Sequence, residues 1–211
     1  MGHRRGFVAR SDAQLIQIVD AATAEAAQRA GHWVQCAPGC TQCCIGVFAI
    51  SQLDAARLRA GLEELGARDG ARAEAVRERA RRAVERLAGE FPGDVRSGIL
   101  DSERGEEFED FGNEEACPAL DPATGLCDLY AARPMTCRVF GLPLRTEDGL
   151  GVCELCFQGA SEEEIAACAL QLDCDEMEGA AQAEAERASG LQGETIVAWA
   201  LTATQPRRDL R

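Results

Sequence analysis

The chain has 211 residues and is 46% hydrophobic, but only seven Phe, two Trp and one Tyr are aromatic. Its core therefore draws on Ala and other small aliphatic side chains carried on helices, which excludes a large sheet rich in β-branched and aromatic residues. All 22 basic residues are Arg, so Schiff-base chemistry on lysine and a P-loop lysine are both excluded. The 36 carboxylates leave a formal net charge of −14, which repels nucleic acid and anionic membrane in the absence of a local basic face. Eleven cysteines and two histidines complete the picture, and the cysteines carry the functional argument.

The opening MGHRRGFVAR contains Arg4 and Arg5, but Ser11, Asp12 and Asp20 interrupt the apolar run an export signal needs. No stretch approaches the roughly 18 apolar residues of a membrane span. The expectation is a cytoplasmic protein whose thiols stay reduced. An odd cysteine count also fits poorly with a closed disulfide framework.

In chain order, Ser11 opens an amphipathic helix to Gly31, with Leu15, Ile16, Ile18, Val19 and Ala22 on its apolar stripe. Residues 36–44 form a Cys-rich loop around Pro38 and Gly39, and 45–50 form a strand or a buried segment. Ser51 with Asp54 starts a helix to Leu65. After a break at Gly66–Gly70 a second helix runs over 71–88. Its Arg77, Arg79, Arg81, Arg82 and Arg86, interleaved with Glu74, Glu78 and Glu85, read as a solvated, salt-bridged face. Residues 91–98 are rich in turn formers. Residues 101–115 carry eight carboxylates against one arginine and read as an exposed or mobile loop without EF-hand spacing. Residues 117–158 are again dense in Cys, Gly and Pro. Ser161 caps a helix predicted to continue to Ala188, and a last helix spans 194–202.

Nine of the eleven cysteines fall in the two irregular segments. Cys36, Cys40, Cys43 and Cys44 form C-x3-C-x2-C-C. Cys117, Cys127 and Cys137 follow with nine residues in each gap, then Cys153-x2-Cys156. Thiolates two to four residues apart reach one metal without a long loop, and ligands from distant sequence close the fold around it. Soft sulfur donors select zinc, copper(I) or iron–sulfur over hard cations. Cys168 and Cys174 are six apart on a predicted helix, so they face different ways and do not chelate together. His32, four residues before Cys36, suits a surface or capping role better than ligation.

Cys127-D-L-Tyr130-A-A-Arg133-Pro134-M-T-Cys137-Arg138-V-Phe140, read with the first cluster, resembles the YkgJ-type cysteine-cluster family, a zinc- or iron-chelating domain. Cys117-Pro118 and the trailing Cys153 or Cys156 match in order. The resemblance covers about residues 36–156, and it implies metal binding without a settled reaction. A similar cluster occurs in flagellin lysine-N-methylases, but no glycine-rich methyl-donor site is present here. Beside the ligands, Arg133 and Arg138 flank Cys137 and could stabilise thiolates. Tyr130 could donate a hydrogen bond to a sulfur or simply pack in the core.

The expected fold is mainly α, with helices packed around an irregular, Cys-rich, metal-stapled centre and little or no sheet. Residues 1–35 would form an N-terminal helical extension. Residues 36–158 would form the cysteine-cluster domain, with a helical insertion at 51–90, and 159–211 a C-terminal helical segment packed on it. The candidate ligands are Cys36, Cys40, Cys43, Cys44, Cys117, Cys127, Cys137, Cys153 and Cys156, with Tyr130, Arg133 and Arg138 behind them. The expected cofactor is an iron–sulfur cluster, [4Fe-4S], or zinc. Partners are the metal and an unidentified protein, with neither nucleic acid nor membrane. Cys36, Cys40 and Cys43 have the spacing of a radical S-adenosylmethionine site, but Gln42 replaces the usual aromatic and no βα repeats follow. A thiol–disulfide or hydrolytic enzyme is disfavoured because no βαβ pattern surrounds Cys153–Cys156 and no nucleophile–base pair is legible. The contrasting reading is a zinc-stapled interaction module without catalysis.

Overall fold

Alanine-rich helical periodicity produces helices α1 (His3–Ala30), α2 (Gln52–Arg68), α3 (Gly70–Leu87), α4 (Gly105–Glu109), α5 (Met135–Val139), α6 (Glu162–Ala167), α7 (Asp175–Ser189) and α8 (Val197–Thr202). The structure is a computed structural model and describes residues 3–146 and 149–202. Sheet is confined, among these residues, to antiparallel hairpins. They pair β1 (Gly93–Asp94) with β2 (Ile99–Leu100), β3 (Leu120–Asp121) with β4 (Leu126–Cys127), and β5 (Leu144–Thr146) with β6 (Gly149–Gly151). The mainly α fold with little sheet is the expected one. The chain divides into two compact units, Met1–Cys40 with Met135–Glu184 and Thr41–Pro134 with Ala185–Arg211.

In the second unit, Ser51 caps α2 by accepting the Asp54 N–H. Asp69 alone separates α2 from α3, and it caps α3 by accepting the Arg72 N–H. The predicted break at 66–70 is thus a single residue. Leu58, Leu62 and Leu65 bury against Ala73, Val76 and Ala80, with Val197, Ala200 and Leu201 of α8 in the same cluster. Small residues on α3 let neighbouring helices approach closely, so a core poor in aromatics still packs densely. Phe48, Cys117 and Cys127 lie against this cluster. A second cluster gathers Phe91, Phe111 and Trp199, with the Phe91 and Trp199 rings stacked at 4.2 Å.

Those aromatics correct the expectation for 101–115. The segment is largely exposed, as expected, but it is not loop throughout: it forms a helical turn at Ser102–Arg104 and then α4. Phe111, only 5% exposed, and Phe108 tie it to the aromatic core. Burying two Phe side chains outweighs the repulsion of surface carboxylates that water screens. Residues 45–50 form no strand; Ile45 and Ile50 make single antiparallel bridges to Ala116 and Thr195.

In the first unit, α1 buries Leu15, Val19, Ala26 and Ala30. Arg138 on α5 is buried, and its Nη1 donates to both carboxylate oxygens of Asp20 on α1 at 2.8 and 3.0 Å. The helix predicted from 161 to 188 is broken into α6 and α7. The Leu170 N–H donates to the Pro143 carbonyl at 2.8 Å, and Cys168, Leu170 and Cys174 are all buried. A continuous helix would point Cys168 and Cys174 to different faces, whereas the irregular link lets both turn inward. These two cysteines are small core side chains.

Candidate metal centre

None of the eleven cysteines is in a disulfide. The C-x3-C-x2-C-C cluster is divided by the boundary between the two units, which falls after Cys40. The thiols consequently gather in two sets.

The first set lies in the first unit and is carried by two turns. After α1, a helical turn at Gly31–Trp33 leads to Cys36. The Cys40 N–H then donates to the Ala37 carbonyl at 2.9 Å, so Pro38 and Gly39 round a tight turn between the two thiols. On the second turn the Cys156 N–H bonds the Cys153 carbonyl at 2.9 Å. The N–H groups of Leu155 and Cys156 also reach the Cys153 sulfur. Cys156 is buried, and its sulfur accepts the Gln35 N–H at 3.4 Å. The thiols of Cys36 and Cys156 are hydrogen-bonded to each other, with Cys40 and Cys153 close enough to act on Cys36 electrostatically.

Contacts made without metal hold these turns face to face. The Phe157 N–H donates to the Trp33 carbonyl at 2.8 Å, and the two rings stack at 6.5 Å. Phe157 adopts φ 56°, the only positive φ of a non-glycine residue among those described, directly after Cys156. Such a conformation costs a non-glycine residue about 1 kcal/mol or more, and persists where surrounding contacts over-determine it.

The second set belongs to the second unit. Cys43 and Cys44 lie on a helical turn at Gln42–Cys44, and the Cys117 N–H donates to the Cys44 carbonyl at 2.8 Å. Cys127 ends β4, and the register pairs it with Leu120, three residues after Cys117. The Cys117 sulfur receives the N–H groups of Ala119 and Leu120, and the Cys127 sulfur that of Leu129. The adjacent thiols of Cys43 and Cys44 hydrogen-bond to each other, and Cys117 and Cys127 both act on Cys44.

Arginines of α3 hold this set in place. Arg72 Nε and Arg79 Nη2 both donate to Asp128, whose side chain is 1% exposed. Arg79 Nε donates to the Pro118 carbonyl at 2.8 Å. Arg86 Nε reaches Glu115 at 3.1 Å. The face read as solvated thus divides: Arg81 and Arg82 pair with Glu74 and Glu78 on the exposed side, while Arg72, Arg79 and Arg86 anchor the segment that carries Cys117 and Cys127. The clue in the sequence was position: 72, 79 and 86 recur every seven residues and share one helix face.

Of the other predicted residues, Arg133 acts electrostatically on Cys43 and Cys127. Its guanidinium lies 4.1 Å from the centre of the Tyr130 ring. Tyr130 as a residue is 64% exposed, so it is not part of the core. Arg138 is engaged with Asp20. Cys137 is half-buried on α5 in the first unit. His32 is exposed, with its ring 4.3 Å from that of Trp33.

Cys36 is exposed as a residue, but partial loss of water around its sulfur, reinforced by Cys156, Cys40 and Cys153, pushes the thiol up to about 12. Burial does the same for Cys117, also to about 12, against the pull of its two amide donors. Cys127 and Cys153 are raised too, chiefly by burial. Cys43 moves the other way, down to about 6, because it accepts a hydrogen bond from Cys44; Arg133 adds to the shift. Cys44, the donor of that bond, is pushed far up.

The raised thiols stabilise the metal-free fold below their ordinary value of 9.0 and lose that contribution as pH climbs through about 12. Metal loading runs against these same protons. The apparent zinc affinity of the protein is therefore expected to rise more than tenfold per unit between about pH 6 and pH 8, because more than one thiol must give up its proton. Competition against a chromophoric chelator measures this, and a flat profile would refute it.

The donor chemistry fits a thiophilic ion or cluster: each set offers four thiols, amide N–H groups already meet several sulfurs, and no hard oxygen donor is needed. Among the described residues no group of three or more His, Cys, Asp or Glu side chains is placed to hold a metal ion. No helix among these residues is long and apolar enough to cross a membrane.

Neither the curated proteins nor the solved structures compared with the chain gave a match. A family model does match, over residues 35–156, the span that carries both thiol sets. The chain is a metal-binding, cysteine-cluster protein and belongs to the CxxCxxCC family, described as "Putative zinc- or iron-chelating domain".

Proposed function

We propose that the protein carries an iron–sulfur cluster on the set of Cys43, Cys44, Cys117 and Cys127, and serves in redox or in iron and cluster handling. The observation that carries this reading is the setting of that set's sulfurs. Cys117 and Cys127 pack against the apolar core, amide N–H groups converge on them, and the Arg133 cation acts on Cys43 and Cys127. A thiolate-ligated cluster is anionic; apolar surroundings, amide hydrogen bonds and a nearby cation are what stabilise it and tune its potential. Eleven thiols without a disulfide accord with a reducing compartment such as the cytoplasm.

The test is iron, zinc and acid-labile sulfide per chain on anaerobically purified protein, with its visible spectrum. Iron and sulfide in equal amounts, with a broad absorbance bleached by dithionite, are expected. Zinc alone in a colourless protein would overturn the cluster and favour the second reading, a zinc-stapled interaction module. That reading draws on the Cys153-x2-Cys156 turn, whose amide groups point at a sulfur as in a zinc knuckle.

A further inference from the structure

We infer that Cys36, Cys40, Cys153 and Cys156 form a mononuclear zinc staple of their own, independent of the thiols in the second unit. The inference rests on the metal-binding reading above and deepens it by dividing the ligands. The matched cluster is contiguous in sequence, but its first two cysteines belong to one compact unit and its last two to the other.

Within the first unit the arrangement is that of a structural zinc site. Two chelating pairs, C-x3-C and C-x2-C, come from segments more than a hundred residues apart, and each pair has the spacing typical of zinc ligands. The Trp33–Phe157 contacts hold the two turns face to face. Neutral amides serve the sulfurs: the Gln35 N–H on Cys156, and the Leu155 and Cys156 N–H groups on Cys153. A backbone wall completes the site, because a Cβ at Gly141 would fall 2.5 Å from the Cys36 sulfur and 3.8 Å from that of Cys156. Four thiolates fill a tetrahedral zinc shell, which gives a staple rather than a reactive metal. Its role is to close the unit between α1 and the segment after β6, so that binding and folding energy are the same quantity.

The test is zinc, iron and sulfide content of the full chain and of Cys153→Ser, Cys153→His and Cys117→Ser. The parent protein is expected to hold about one zinc per chain beside the second metal. Cys153→Ser should lose that zinc and keep the second metal. Cys117→Ser should keep the zinc and lose the other. Cys153→His guards against simple unfolding, since imidazole is a zinc ligand too: it should restore zinc where the serine variant has lost everything. A parent protein with no metal would refute the metal reading itself. Metals that leave together in Cys153→Ser, Cys153→His and Cys117→Ser would refute only the division. If the second metal proves to be zinc, the division stands when each serine variant loses about half the total.

Discussion

Asp128→Ala is expected to destabilise the metal-loaded protein by about 2–3 kcal/mol and to lower its metal content. Asp128 follows Cys127 directly, its side chain is 1% exposed, and it receives Arg72 Nε and Arg79 Nη2. Its own N–H donates to the Ala119 carbonyl at 2.7 Å. One carboxylate thus fastens the β3–β4 hairpin to α3 and sets where Cys127 sits relative to Cys117. Removing one partner from a fully buried ion pair costs about 3–5 kcal/mol. Arg72 is 45% and Arg79 25% exposed, so water takes over part of their hydration and the cost falls below that range. For a chain of this length the loss corresponds to a melting-temperature drop of roughly 4–12 °C. Glu78→Ala is the control, because Glu78 meets Arg81 and Arg82 on the exposed face. Exposed pairs contribute about 0–1 kcal/mol, so that variant should melt near the parent. Equal melting of the two variants would mean that the Asp128 clamp is not structural.

The contrast between Asp128 and Glu78 also marks where sequence reading stops. Interleaved Arg and Glu on α3 identify a charged helix, yet the partner of each arginine depends on which loop packs there. Asp128 is 56 residues from Arg72 and 49 from Arg79, beyond the reach of any local rule. The helix after Ser51 was legible because a cap and an apolar stripe coincide there, whereas Ser161 caps only the six residues of α6 and α1 begins at His3, so Ser11 lies inside it rather than at its start. The helix predicted after Ser161 failed where two buried cysteines were out of phase with a helical face. The acidic stretch at 101–115 was read from its charge, while Phe108 and Phe111 decided its conformation. The cysteine constellation and its family resemblance were legible from spacing alone. The unit boundary after Cys40 was not, since nothing in C-x3-C-x2-C-C marks a change of unit. At Cys43–Cys44 the helical turn at Gln42–Cys44 lets two adjacent thiols hydrogen-bond.

Gly141→Ala should cost about 2–3 kcal/mol, with loss of the staple's zinc. Two costs combine at this residue. Its φ of 93° lies in the left-handed region, where an L side chain costs roughly 1–2 kcal/mol. The new Cβ would also stand 2.5 Å from the Cys36 sulfur, far inside contact distance; Cys36 is exposed, so the steric cost falls at the low end of the roughly 1–3 kcal/mol of core overpacking. Relief requires the Cys36 thiol to turn away from Cys156, its hydrogen-bond partner, which takes one ligand out of the set. Gly159→Ala separates the two effects, because Gly159 has φ 81° but nothing within 4 Å of its would-be Cβ. That variant carries the backbone cost alone and should keep its zinc. If Gly141→Ala held zinc as fully as Gly159→Ala and melted with it, the wall against Cys36 would not be part of a metal site. A Gly141 variant that alone loses zinc would tie the staple to a residue that bears no ligand and that no spacing rule points to.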